Sequence, residues 1–181
     1  MSESSWTLRP DSGELHILTG VEGRAAKMGH RLTLAMQSWQ AVMQFNGEKA
    51  TKAELTVDVD SLQVLGGEGG VKALSKPEKG VCKSNAFKSM DVKKYPQIRF
   101  VSDDIATTAG GYRMTGALEI HGISRPQVVD LTVEDGGSAW TLSARAAVQQ
   151  TDYGVKPFSL FMGTLKVADE VTIDFHATQP K

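Results

Sequence analysis

From Tyr95 to Val133 apolar side chains return at every second residue, and that period leaves the backbone little choice. A strand turns successive side chains to opposite faces, so the alternation marks a sheet with one buried face. Pro96 biases Tyr95 toward extended geometry and ends what precedes it. Ile98 and Phe100 then alternate with Gln97 and Arg99 until the run fades at Ala106–Ala109 and meets Gly110-Gly111, a pair suited to a tight hairpin. Tyr112, Met114, Leu118 and Ile120 face one way in the next run, and Arg113, Thr115, Glu119 and His121 the other. Gly122 and Pro126 are expected to close it, and Val129, Leu131 and Val133 begin a third alternation. Three antiparallel strands with short turns form a meander, and its apolar face needs a cover. Either other protein or a ligand supplies that cover.

The same period runs through much of the chain. Leu32, Leu34 and Met36 share one parity, while Trp39, Ala41, Met43 and Phe45 share the other. One extra residue flips a strand in this way, so a β-bulge is expected at Gln37-Ser38. At about 3.3 Å per residue, the stretch Leu32–Phe45 exceeds roughly 40 Å, a length that suits a strand wrapping a barrel. Asn46-Gly47 is the strongest hairpin signal. Ala53, Leu55, Val57 and Val59 alternate after it, as do Trp140, Leu142, Ala144, Ala146 and Val148, and finally Val171, Ile173, Phe175 and Ala177. About eight strands at regular spacing, linked by hairpins, predict an all-β antiparallel barrel or sandwich.

Two stretches depart from the pattern. Glu22 to His30 favours one or two helical turns, bracketed by Gly23 and Gly29. Between residues 68 and 94 a short helical insert is expected, with Val71–Leu74 and Pro77–Phe87 as its helical pieces and Gly66–Gly70 as a loop before it. The 181 residues fit a single domain, 1–181. One cysteine, Cys82, excludes an internal disulfide and suits a reducing compartment. Residues 1–6 lack a basic and an apolar signal region, and no stretch has the length of a membrane span, so a cytoplasmic location is expected.

The residues that carry chemistry are few. His16, His30, His121 and His176 show no metal-ligand spacing, so neither metal nor cofactor is expected. There is no Gly-x-Ser-x-Gly elbow, and Cys82 has no histidine beside it. His30, following the small helical segment at the start of the long strand, is a candidate for a cavity mouth. Lys72, Lys76, Lys79 and Lys83 recur at helical spacing, and Lys88, Lys93 and Lys94 follow. They form either a solvated helix face or a basic rim for transient contact with an anionic membrane surface. A formal charge of −1 and the lack of interleaved aromatics give no case for nucleic acid. Nothing in the sequence selects between a monomer and a homodimer.

Large, soft residues are the second signal. In a barrel of about eight strands the interior either fills with side chains or holds one small ligand. Met36, Trp39, Met43, Phe45, Phe100, Met114, Phe158, Phe161 and Met162 are bulky, and methionine adapts to irregular guests.

Four segments resemble a known family. Tyr95-Pro96-Gln97-Ile98-Arg99-Phe100-Val101-Ser102 resembles its Tyr-Pro segment. Residues Thr115–Pro126 resemble its Gly-x-Leu…His-Gly signature. Thr151-Asp152-Tyr153-Gly154-Val155 and Asp58-Val59-Asp60-Ser61-Leu62 match two shorter pieces. In order and spacing these are similar to the YceI-like, polyisoprenoid-binding family, over roughly residues 6–178. The resemblance implies an extended, lipocalin-like antiparallel β-barrel whose lumen holds an isoprenoid or fatty amphiphile, such as a polyprenyl quinone or polyprenyl phosphate. It brings no catalytic residue. Phe100 and Leu118 fall on motif positions. Strand parity adds His30, Met36, Trp39, Met43, Phe45, Met114, Tyr153, Phe158, Phe161 and Met162 as ligand contacts. Gly29-His30-Arg31 stands where a basic residue and histidine are usual, and Thr151 where arginine is common.

The function expected is thus non-catalytic binding or transport of such a lipid, with its head near a rim made by Ala25–His30, Lys72–Lys94 and Tyr153–Met162. One alternative is an isomerase or hydrolase acting in the same cavity on a small apolar substrate, with His30 or Tyr153 as the ionisable group. Another is a barrel filled by its own side chains that acts through its surface.

Overall fold

Antiparallel ladders join eleven strands into one strongly curled sheet, edged by Glu3–Leu8 and Leu62–Gly69, in the computed structural model, which describes residues 2–181. In chain order the elements are β1 (Glu3–Leu8), β2 (Gly13–Leu18), β3 (Val21–Glu22), β4 (His30–Met36), β5 (Trp39–Asn46), β6 (Lys49–Asp58), β7 (Leu62–Gly69), α1 (Lys76–Met90), β8 (Gln97–Thr108), β9 (Gly111–Ile120), β10 (Ile123–Asp135), β11 (Ala139–Gln149), β12 (Ser159–Leu160), β13 (Leu165–Val167) and β14 (Glu170–Pro180). Short 3₁₀ turns occupy Ala26–Met28, Val59–Ser61, Gln150–Tyr153 and Phe161–Gly163. No helix among the described residues is long and apolar enough to cross a membrane.

The ladder order β5-β6-β8-β9-β10-β11-β14-β2-β4 returns on itself, because β4 runs into β5 across only Gln37 and Ser38. β1 pairs with β5 where β2 pairs with β4, and β7 continues β6 alongside β4. Eleven of the strands therefore stack as eight staves, five of them single strands (β8, β9, β10, β11 and β14) and three broken or bent along their length (β1–β2, β4–β5 and β6–β7). The expectation of about eight strands counts the staves and misses the breaks. Closure leaves few free edges to pair with another chain. The three short strands β12, β13 and β3 form a separate sheet at one end.

Local chemistry explains the breaks. The parity flip at Gln37-Ser38 is an interruption of the strand, where Ser38 Oγ donates to Asp58 Oδ2 at 2.6 Å and Gln37 N–H donates to Ser61 Oγ. A register shift between Val101 and Asp104 is held by buried Ser102, whose Oγ donates to the Thr115 carbonyl at 2.7 Å. Asn46-Gly47 turns β5 into β6, with Gly47 at φ +63°. α1 starts at a capping box in which Ser75 and Glu78 each bond the other's backbone N–H, with Pro77 in the first turn.

Three expectations are corrected. Gly66–Gly69 is not a loop but the end of β7, paired with Thr33–His30 of β4. Glycine suits it because a Cβ on Gly67 would come within 2.9 Å of Leu74 and 3.0 Å of His30. Val71–Leu74 is not helical. Pro126 does not close β9 but lies within β10, opposite Ala117. It is tolerated there because β10 pairs with β11 only from Leu131 onward, so its backbone has a partner on one side.

Candidate functional site

The interior divides at one layer of side chains. The register sets Ile17 opposite Leu34 and Ile173, and one step further along sets Leu15 opposite Met36 and Phe175. Ile17, Leu34 and Ile173 line a cavity of about 590 Å³. Leu15, Met36 and Phe175 do not line it and pack into the buried cluster beyond it. The division repeats on β8 and β9, where Ile98 and Ile120 line the cavity while Phe100 and Leu118, paired with each other, are core. Toward the far end Trp39 packs edge-on against Phe175 at 5.5 Å, and Phe45 lies between Trp6 and Tyr112. Bulky rings fill the lumen where they occur. Aliphatic side chains at the other end are too short to meet across it.

α1 closes the hollow end from one side. Pro77, Val81, Cys82, Ala86, Ser89 and Met90 turn to the cavity at a spacing of three and four residues, one face of a helix. None of its residues is fully buried, and among the strands it packs chiefly against β7. The opposite wall comes from Tyr153, Val155, Phe158, Leu160 and Leu165. Ala25 N–H donates to the Thr164 carbonyl at 2.7 Å, which ties the Ala26–Met28 turn to that wall. Thus the three rim segments named from the sequence meet around one mouth.

The polar groups are sparse. His30 Nε2 lies 2.6 Å from the Lys72 carbonyl, to which it donates, and its ring occupies the space a Cβ on Gly70 would need. Gly70 sits at φ +72°, so the histidine latches the β7–α1 connection. Burial holds the Tyr153 phenol above its ordinary pKa, with Asp152 adding to the effect. Burial likewise raises the Cys82 thiol, followed by the charge of Glu78, so the sulfur stays protonated and a weak nucleophile. Glu78 is held below its ordinary pKa by the Ser75 backbone N–H and then by the Ser75 hydroxyl. No group of three or more metal-ligating side chains occurs among the described residues. Such a lining can hold an apolar body and orient one polar end.

Of the residues named from sequence, His30, Tyr153 and Phe158 line the cavity. Met36, Trp39, Met43, Phe45, Phe100, Met114 and Leu118 are in the packed core instead, because their bulk lets them meet one another. Phe161 and Met162 point out of the rim, 68% and 104% exposed. Sequence reasoning missed the aliphatic wall, including Leu32, Leu62, Val148 and Val171, and the inner face of α1. The signal was available as inward parity near the strand ends that flank His30 and Tyr153.

The profile of the YceI-like domain matches residues 6–179. Among solved structures, BcnA of Burkholderia cenocepacia is similar, at 26% identity and a TM-score of 0.67, covering 92% of this chain and 95% of that one. The YCEI protein of Campylobacter jejuni has the same fold at 16% identity and a TM-score of 0.60, covering 82% of this chain and 84% of its own. No curated protein matches the chain.

Proposed function

The chain belongs to the YceI-like family, and from that premise we propose that it binds one amphiphilic lipid with an isoprenoid tail, without covalent chemistry. The tail lies in the hollow half of the barrel and the head stays at the mouth, near His30 and α1. The carrying observation is the aliphatic cavity of about 590 Å³ opening between α1 and the Tyr153–Leu165 wall. Cavities of roughly 300–1,000 Å³ take drug-sized molecules, so a few isoprene units fit and a longer chain protrudes.

Magnitudes favour a carrier over a sink. One isoprene unit removes about four CH₂ equivalents from water, or roughly 3 kcal/mol gross. Two or three units, about 6–9 kcal/mol, offset the lower half of an association cost of about 4–15 kcal/mol, and further units the rest. Against a bilayer the gain vanishes, since both environments are apolar. The protein therefore exchanges lipid with membranes, in transient contact through Lys72, Lys76, Lys79 and Lys83. The single cysteine, Cys82, has no partner for an internal disulfide, which suits a reducing, cytoplasmic setting.

Organic extraction of the purified protein, followed by mass spectrometry, tests the reading. An isoprenoid lipid near one per chain is expected. Repeated extraction of nothing, or of straight-chain lipids alone, would overturn it.

A further inference from the structure

The net charge of −1 conceals an uneven distribution. Residues 21–30, 70–94 and 154–167, which surround the mouth, hold eleven of the 20 Lys and Arg but only three of the 21 Asp and Glu. Of the other carboxylates at this end, Glu68 pairs with Arg31, Asp169 with Thr151 and Glu170 with Gln149, while Asp152, beside Tyr153, adds one exposed negative charge. On the side facing α1 across the mouth, Arg24, Lys27, Lys156 and Lys166 are exposed, and only Lys166 forms an ion pair among the described residues, with Glu22.

In the midst of these cations the β12–β13 turn carries two large apolar side chains into solvent. Phe161 and Met162 both adopt left-handed backbone, at φ +51° and +57°, before Gly163 at +86°. Side chains other than glycine rarely take that region, and two in succession are rarer. The conformation is fixed from outside, by the Thr164 hydroxyl donating to the Phe161 carbonyl at 2.9 Å and by Val167 N–H donating to the Phe158 carbonyl. Met28 and Leu160 extend the exposed patch, at 59% and 45%, and both also line the cavity.

We propose that the Phe161-Met162 turn is a docking wedge that inserts into an anionic lipid bilayer, with Arg24, Lys27, Lys156 and Lys166 at headgroup level around it. An apolar tip ringed by cations fits such an interface, where apolar burial and attraction to anionic lipid add. A second copy of this face would bring like charges together. Because Met28 and Leu160 belong to both patch and cavity, cargo could leave the lumen without crossing water. The purpose of the wedge rests on the proposed lipid exchange, but its test needs no cargo.

Co-sedimentation with vesicles of phosphatidylcholine, alone or with roughly one-third phosphatidylglycerol, tests the wedge. The protein is expected to partition onto the anionic vesicles and less so as salt rises. The double variant Phe161→Asp, Met162→Asp is expected to lose about tenfold in partitioning, while taking up N-phenyl-1-naphthylamine into the cavity as the parent does. No binding to anionic vesicles, or equal binding by the variant, would overturn the proposal. So would a dimer that the variant splits, since the patch would then be a contact between copies. Vesicle binding by a protein that takes up no naphthylamine would support the wedge and sink the cargo reading instead.

Discussion

The two ends of this barrel share their staves, their pairing and their parity, yet one is filled and the other hollow. The difference lies in which side chains stand on the inward face. At the filled end Trp39, Phe45, Phe100 and Phe175 reach across the lumen and find partners. At the hollow end Leu34, Ile98, Val171 and Ile173 stand on the same staves and leave a void. A backbone of this kind fixes where inward side chains begin, and their bulk decides whether a guest is needed. The hollow end also lacks a full ring of strands: β7 has only β4 as a ladder partner there, and α1 stands where a neighbouring strand would be.

Truncations at the two ends should separate most widely. Trp39→Ala removes a ring that is 5% exposed and should cost roughly 3–5 kcal/mol. Ile173→Ala, whose side chain already faces empty space, should cost about 1–2 kcal/mol, since atoms beside a void have fewer contacts to lose. Urea unfolding without ligand measures both, and the reverse order would break the comparison.

Enlargements should behave oppositely. Met36→Trp overpacks the filled end and should destabilise by about 1–3 kcal/mol. Ile173→Trp enters space that exists, so it should change stability by less than about 1 kcal/mol while weakening apolar ligands at least tenfold, or by about 1.4 kcal/mol. Equal penalties at both ends would mean that the hollow end has no usable room.

A smaller effect sharpens the description of the filled end. Trp39 Nε1 is a buried donor with no partner among the described residues. Leaving such a donor unmet costs about 1–3 kcal/mol, which offsets much of the ring area lost in Trp39→Phe. That variant should therefore stay within about 1 kcal/mol of the parent in thermal unfolding. A loss as large as that of Trp39→Ala would show that the indole donor has a partner after all.

The smallest effect is acid dependence. Hydrogen bonds from Ser38 and then Gln97 hold the Asp58 carboxyl below its ordinary value of 3.8. The folded state thus favours the charged form, and its contribution is complete above the unfolded value. It fades as pH falls through the depressed folded value. Asp58→Asn should flatten the acid limb of stability against pH below about pH 4 and leave the slope near neutrality unchanged. An unaltered acid limb would show that the junction of β4 and β5 does not depend on this carboxylate.

Much of the strand order is legible in the sequence. Opposed parities on either side of Gln37-Ser38 located the irregularity in the long strand, which is a break between β4 and β5 and not the expected bulge, and Asn46-Gly47 located its hairpin. Gly66–Gly69 misled because glycine weakens a strand in isolation, whereas here β4 supplies the partner. Pro126 misled because a missing donor matters only where a second strand waits for it. The site was harder to read for a different reason. Periodicity reports which way a side chain points and is silent on whether it meets another across the lumen. Selecting Met43, Phe100 and Met114 for their bulk led to the plug, since the residues able to touch a large guest are also those able to fill its place.

The account turns on the hollow end accepting a tail of limited length, and affinity for a series of isoprenols of increasing chain length tests that most directly. Each added unit should raise affinity at least tenfold, about 1.4 kcal/mol after the costs of ordering, until the space above Leu34 and Ile173 is full, after which affinity should level off. Affinity that is flat from the shortest member, or absent throughout, would contradict it.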